Sequence, residues 1–170
     1  MFQVDDVIIY GSHGVCRIVE LSQQRINGCK KTYYVLKPVQ GQGATIFAPV
    51  DHENVRRKMR RLLSQEQIDH IIDTLPPEPE ALPEKDSDRK ELYRQLLAGS
   101  DPAQLMNMIQ SVYLRRKQRL AEGKRLHMVD EYFFKDAEQI LYNEIQYVLQ
   151  LESKEALMDY IVSRMEKRSI

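Results

Sequence analysis

The 170-residue sequence predicts an α+β fold in which a small antiparallel β-sheet or barrel comes first and an all-helical bundle follows. From residue 6 to residue 49, short β-branched and aromatic runs are bounded by Gly, Asn or Pro, which is typical of short strands joined by turns. After Ser64 the apolar residues recur at helical spacing instead. The change of period places the β region before the helices.

The N-terminal region contains four strand-like runs, and about five short strands would fit. The clearest signal is Asn27-Gly28, because a two-residue type I′ turn needs positive φ at both positions. We therefore expect strands two and three to pair across it. Pro49 closes the fourth run, since proline cannot donate a ladder hydrogen bond. The runs cover residues 7–10, 15–21, 32–36 and 45–47.

Capping residues mark the predicted helices. Ser64 and Gln67 match a capping box that begins a helix, and Pro76-Pro77 should end it. Asp101 followed by Pro102 predicts an N-cap and the first helical residue. Four more helices are expected, from 87 to 98, from 102 toward 123, from about 128, and after Ser153, and these form a four-helix bundle.

The segment 76–83 contains too much proline for a helix and too few donors for a sheet, so we predict a stiff, extended connector. It is the candidate hinge or boundary. The expected organisation is a β domain at residues 1–60, a connecting helix and proline-rich linker at 61–84, and a helical domain at 85–170.

The net charge is zero, but it is sorted along the chain. Residues 85–125 carry +5 and residues 126–170 carry −4. A basic segment can track phosphates locally, although a neutral total removes long-range attraction to nucleic acid. With no apolar run near the ~20 residues that span a bilayer, and acidic residues at the N-terminus, we expect a cytoplasmic protein without membrane contact.

The stretch Gly11-Ser12-His13-Gly14-Val15-Cys16 raises three possibilities: a metal site, a nucleophile or a turn. A metal needs three or four ligands, and the other histidines lack ligand spacing. A Cys-His nucleophile would need an orienting third group that no motif supplies. We favour a turn with a buried thiol at Cys16, and we expect no cofactor and no enzymatic activity.

Basic residues form three sets. The run from Arg56 to Arg61 is a solvated face, a partner surface or a phosphate site. The second set lies at the C-terminal end of the helix that begins at Pro102, where the helix dipole accounts for only part of it. The third lies at the start of the preceding helix, where cations oppose the dipole. The residues of the last two sets that we predict to bind DNA are Lys85, Arg89, Lys90, Arg115, Arg116, Lys117 and Arg119. Tyr93 is expected to be a core aromatic.

The first eighteen residues include Phe2, Val4, Asp6-Val7-Ile8-Ile9-Tyr10, His13-Gly14-Val15 and Ile18. This pattern resembles the opening F-x-x-G-D-x-V-V-Y-P-x-H-G-V-x-x-I of the CarD/CdnL family of bacterial RNA polymerase-binding transcription regulators, with Asp5 for the glycine and Gly11 for the proline. The resemblance continues through Ile26-x-Gly28, Tyr33-Tyr34-Val35-Leu36, Thr45-Ile46-Phe47-Ala48-Pro49, Val55-Arg56 and Leu96-Leu97-Ala98-Gly99-Ser100.

The resemblance implies a Tudor-like N-terminal domain that docks on the polymerase β subunit by adding an edge strand. Its contact surface falls on Arg25, Ile46 and Phe47. The helical domain is implied to contact promoter DNA through phosphates, where a tryptophan of the family enters the minor groove. This sequence contains no tryptophan. Counting back from Gly99 places Lys85 at that position, and a lysine can contact a phosphate but cannot unstack a base step.

We therefore expect a transcription regulator that binds RNA polymerase through its first 60 residues and contacts promoter DNA weakly and non-specifically through its helices. The alternative is a polymerase or protein adaptor whose helical domain binds a protein and not DNA. Salt dependence separates the two, because phosphate contacts weaken steeply as salt rises.

Overall fold

The computed structural model describes residues 1–168. The chain forms two compact units, Met1–Leu63 and Ser64–Ile170. The first contains an antiparallel sheet and one short helix, and the second contains helices. The predicted order of β followed by α is confirmed.

The first unit is a five-stranded antiparallel sheet in the order β4-β3-β2-β1-β5, so β4 and β5 lie at its two edges. The fifth strand and the short helix α1 both fall in the arginine-rich run, where no strand signal is present in the sequence. The elements are β1 Val7–Tyr10, β2 Val15–Ile26, β3 Cys29–Pro38, β4 Ile46–Pro49, α1 Glu53–Lys58 and β5 Met59–Arg61.

The β2–β3 hairpin is longer than predicted. Asn27 and Gly28 have φ values of 50° and 81°, as the type I′ turn requires. The ladder runs from Cys16 opposite Pro38 out to the pair beside this turn. The distal part, residues 21–32, is mostly exposed and is held by backbone hydrogen bonds, which explains why its polar sequence lacks the apolar alternation of a half-buried strand. We call it the ribbon.

A β-bulge interrupts β2 at Val19. Ile18 pairs with Leu36, whereas Glu20 pairs with Val35, so one extra residue lies on β2. Ile18 and Leu36 are core residues. The bulge therefore turns Glu20 away from the core, which it would face if the strand alternated regularly.

The core of the first unit lies on one face of the sheet and includes α1. Its buried residues come from every strand and from the segments beside the helix. They are Ile8, Tyr10, Cys16, Ile18, Tyr34, Leu36, Ala48, Val50, Val55 and Met59, with Phe2 and Ile46 packed at the margin. The edge strand β4 is thus anchored by Ala48 and Ile46, and its position relative to the core is fixed.

The described part of the second unit, residues 64–168, contains five helices. They are α2 Gln65–Thr74, α3 Asp86–Gly99, α4 Pro102–Ala121, α5 Met128–Leu149 and α6 Lys154–Lys167. The capping box of Ser64 and Gln67 is present, with both reciprocal hydrogen bonds. Asp101 and Ser153 cap α4 and α6 as predicted. None of these helices, within the described residues, is long and apolar enough to cross a membrane.

The helix α2 belongs to the helical unit because α6 holds it there. The Arg164 guanidinium donates to Asp73 with a 3.0 Å bond and lies 3.2 Å from Asp69. Arg168 donates to the carbonyl oxygens of Ile72 at 3.0 Å and Leu75 at 2.9 Å. The two Arg168 bonds satisfy carbonyl groups at the C-terminal end of α2, where the last carbonyl groups have no donors within the helix.

The proline-rich segment 76–83, predicted as an extended connector and candidate boundary, joins α2 to α3 inside the second unit. This proline-rich segment packs on α4: Gln110 donates to the Pro76 carbonyl at 2.9 Å, and Ser111 to the Glu80 carbonyl at 3.4 Å. Both bonds lie inside the second unit, and the boundary falls between Leu63 and Ser64. Proline carbonyls remain acceptors, so a segment unable to form a helix can still be fixed by side-chain donors.

Candidate functional site

The two edges of the sheet differ in chemistry. The strand β4 has no charged residue, and Phe47 on it is 52% exposed. At the other edge, β5 carries Arg60 and Arg61, and Arg61 lies over the Phe2 ring with its guanidinium carbon 5.8 Å from the centroid. Cations on an edge strand discourage pairing with another chain, whereas an uncharged edge permits it. The predicted contacts Ile46 and Phe47 therefore lie on the edge that is better suited to docking.

Arg25, the third predicted polymerase contact, lies on the ribbon, directly opposite Lys30. Residues paired in this way share one face of the hairpin, and like charges there repel each other. Both side chains are exposed. The sequence from residue 21 to residue 50 contains four cations and no carboxylate. An acidic partner surface would relieve the repulsion between the two side chains.

The two units carry opposite net charges. The first has ten basic and five acidic residues, a net charge of +5, and the second has fifteen basic and twenty acidic residues, a net charge of −5. The zero total therefore conceals a basic β unit and an acidic helical unit. Long-range attraction to nucleic acid is weak for a unit of negative net charge.

Arg89 is not available to DNA, so its prediction as a DNA contact is wrong. Its side chain is 0% exposed, and its guanidinium forms two hydrogen bonds with Asp130, from Nε at 2.7 Å and from Nη2 at 3.1 Å. Nη1 donates to the carbonyls of Pro83 at 3.0 Å and Glu84 at 2.5 Å, and Nη2 donates to Asp86. The guanidinium fixes the start of α3 against α5. The positive charge of Arg89 is paired with the carboxylates of Asp130 and Asp86 and is therefore not available to a phosphate.

Two more residues complete this buried network. The Tyr93 hydroxyl donates to Asp130 at 2.7 Å, and Arg115 Nε lies 3.4 Å from the same carboxylate. Tyr93 is fully buried, which confirms it as a core aromatic. Burial and its bond to Asp130 raise the pKa of Tyr93. Burial opposes the charge on Arg89, but Asp130 and Asp86 outweigh that effect and raise its pKa.

Two further predicted DNA contacts also have internal roles. The Arg116 guanidinium carbon lies 4.7 Å from the Phe134 ring centroid, a cation–π contact. Arg119 Nε donates to the Arg125 carbonyl at 2.6 Å and holds the chain after α4. Both side chains are half-buried. Much of the cationic cluster on α4 therefore stabilises the unit.

The predicted DNA contacts left exposed are Lys85, Lys90 and Lys117. Lys117 lies over the Tyr113 ring at 5.8 Å. Lys90 lies one turn before Arg94, a cation that sequence reasoning did not assign to DNA. The i, i+4 spacing of the two on α3 was the signal that could have found it.

Lys90 and Arg94 line a surface groove between α3 and α5, with a volume of about 590 Å³. We call it the α3/α5 groove. Its other lining residues are Met128, Val129, Tyr132, Phe133 and Asp136. Met128 is 86% exposed and Tyr132 63%. Sequence reasoning missed this groove, because no local signal marks Met128 and Tyr132 as exposed while the adjacent Phe133 is buried.

The stretch from Gly11 to Cys16 forms a turn followed by a buried thiol on β2, as favoured. His13 lies in a short 3-10 turn between β1 and β2, stacked on Tyr10 with ring centroids 5.6 Å apart. Cys16 is fully buried, and burial raises its pKa to about 11. A thiol with that pKa is a poor nucleophile at neutral pH. Residues 1–168 bring no three His, Cys, Asp or Glu side chains together as a metal site.

Residues 2–63 match the family described as the CarD-like/TRCF RID domain. The match covers all five strands and α1, and it ends at the last residue of the first unit. The basic sheet with its uncharged edge is therefore the part of the chain that carries the family likeness.

Proposed function

We propose, from the match of residues 2–63 to the CarD-like/TRCF RID domain, that the protein is a non-enzymatic regulator of transcription initiation that binds RNA polymerase. It docks on the β subunit of bacterial RNA polymerase through β4. Its helical unit then contacts promoter DNA without sequence preference.

The observation that supports docking through β4 is the difference between the two sheet edges. Strand addition uses unpaired backbone groups for affinity and neighbouring side chains for specificity. The uncharged β4 presents Phe47, and the ribbon beside it presents the cations Arg25 and Lys30. An extended segment of the β subunit with carboxylates near its end would match both features.

Docking is tested by measuring the affinity of the full-length protein for the isolated β-subunit lobe, with Phe47→Arg as the variant. A cation on the free edge should lower the affinity at least tenfold, because it must be desolvated when the edge pairs. Val162→Arg, on α6, is the matched control because Val162 is similarly exposed, at 46%. Wild-type affinity in the Phe47 variant would contradict docking through β4.

DNA contact is assigned to the exposed lysines Lys85, Lys90 and Lys117. The negative charge of the helical unit makes its own attraction for DNA weak. Docking on the polymerase would compensate for this weak attraction, because it raises the effective concentration of promoter DNA at the helical unit to about millimolar. Binding of DNA should thus depend on both units.

The DNA contact is tested on the complex with polymerase and a promoter duplex. Replacing the three lysines with glutamine should reduce the slope of log affinity against log salt by up to about 3, near 0.9 for each phosphate that is no longer neutralised. Lys135→Gln, an exposed lysine on α5 outside the set, should change it little. An unchanged slope in the triple variant would contradict the assignment.

The net charge of −5 on the helical unit also favours a second candidate function, a polymerase-bound adaptor whose helices bind a protein. Such a protein would retain its affinity for the β lobe and its dependence on Phe47. Its effect on the polymerase would be insensitive to the three lysines.

A further inference from the structure

We propose that the α3/α5 groove binds single-stranded nucleic acid, with an unpaired base stacked on Tyr132 and the adjoining phosphates paired with Lys90 and Arg94. The proposal rests on the proposed function, in which the helical unit contacts DNA. It goes beyond that function by assigning a form of DNA and a stacking residue.

The first argument is the placement of the cations. Lys90 and Arg94 are separated by four residues of α3, which puts them about 6 Å apart along the helix axis. Neither forms an ion pair within residues 1–168, unlike Arg89 and Arg115 nearby. Two free cations one turn apart can contact successive phosphates of one strand. Asp136 is the single carboxylate among the lining residues, so the lining has a net charge of +1.

The second argument is the aromatic side chain. Tyr132 packs at right angles to Phe133 with centroids 5.2 Å apart, and Phe133 is buried against Tyr93. This contact fixes the ring, yet Tyr132 is 63% exposed. A rigid exposed ring beside a cationic strip is the combination with which proteins bind single strands, because every base has a face that can stack.

The third argument is the remaining apolar lining. Met128 is 86% exposed at the first turn of α5, and its flexible thioether can pack on a sugar or a second base. A duplex keeps its bases stacked on one another and would not offer a face to Tyr132. A polymerase that has separated the strands of a promoter supplies unpaired bases to a protein docked on it.

The test compares binding of the full-length protein to a fluorescent oligothymidylate of about twelve nucleotides and to a duplex of the same length at low salt. We expect the single strand to bind more tightly. Tyr132→Ser should weaken single-strand binding about tenfold, and Tyr132→Phe, which keeps the ring, should bind like the wild type. Substituting Lys90 and Arg94 with glutamine should reduce the salt slope for the single strand.

Tyr113→Ser is the matched control, because Tyr113 is an exposed tyrosine beside a lysine on α4, outside the groove. Equal losses in the Tyr113 and Tyr132 variants, or tighter binding of the duplex, would overturn the proposal. Duplex binding that needs the three lysines would then leave the proposed function standing. If neither nucleic acid binds, even in the polymerase complex, the DNA part of the proposed function fails as well.

Discussion

Replacing Asp130 with alanine should destabilise the helical unit strongly. The carboxylate accepts two hydrogen bonds from Arg89 and one from Tyr93, and both members of the Arg89–Asp130 pair are 0% exposed. Removing one partner of a buried ion pair costs about 3–5 kcal/mol, because the other charge is left uncompensated. Arg89 keeps the carbonyls of Pro83 and Glu84, so we expect the lower end, about 3 kcal/mol.

The assay is urea unfolding followed by circular dichroism at the helical band, to which the second unit contributes five of the six helices. With an m value of about 2 kcal/mol per molar, the midpoint should fall by about 1.5 M. Tyr93→Phe removes one hydrogen bond and should cost about 1 kcal/mol. Asp159→Ala, at an exposed carboxylate on α6, should change stability by less than about 0.5 kcal/mol.

A double variant separates loss of packing from an uncompensated charge. Arg89→Met with Asp130→Leu replaces both charges by apolar groups and should be more stable than Asp130→Ala alone. A cost below about 1 kcal/mol for Asp130→Ala would refute the reasoning. So would a double variant that is no more stable than the single one.

Three further outcomes are expected. Ser64→Ala removes the capping box of α2 and should cost about 1 kcal/mol in urea unfolding of the helical band, with no change in binding to the β lobe. Cys29 is exposed and Cys16 is buried with a pKa of about 11, so an aromatic disulfide reagent at neutral pH should modify Cys29 at least ~100-fold faster; equal rates would contradict the burial of Cys16. The hydrogen bond from Arg164 lowers the pKa of Asp73 in the folded protein. The ion pair therefore stabilises the fold fully above the unfolded-state pKa of about 4, and this stabilisation is lost as the pH falls through the lower pKa of the folded state. The stability difference between wild type and Asp73→Asn should therefore shrink from about pH 7 to about pH 3, and a constant difference would contradict it.

Features coded by neighbouring residues could be predicted from the sequence. The Asn27-Gly28 turn and the caps at Ser64 and Asp101 each depend on a few adjacent positions, and the structure has them where expected. The strand β5 could not be predicted in this way. It pairs Met59 with Tyr10 across almost fifty residues, and its arginines resemble a solvated run.

In the candidate site, too, contacts between residues distant in the chain could not be predicted from the sequence. Arg89 and Lys90 are adjacent in the chain and identical in charge, yet one is fully buried and the other is exposed. The long-range partner that distinguishes them is Asp130, forty-one residues from Arg89, which pairs with Arg89. A charged run in a sequence thus predicts where cations are concentrated but not which of them have carboxylate partners. The exposure of Tyr132 depends on packing between helices and likewise could not be predicted from the sequence.

The bulge at Val19 makes β2 tolerant of the loss of one residue. Without Val19, Glu20 would follow Ile18 directly and still pair with Val35, so every side chain beyond it on β2, including Arg25, would keep its face. The buried part of the sheet before the bulge would keep its pairing. Position 19 is therefore a point at which the domain can lose a residue without rebuilding the core and without changing which side chains the ribbon presents to a partner.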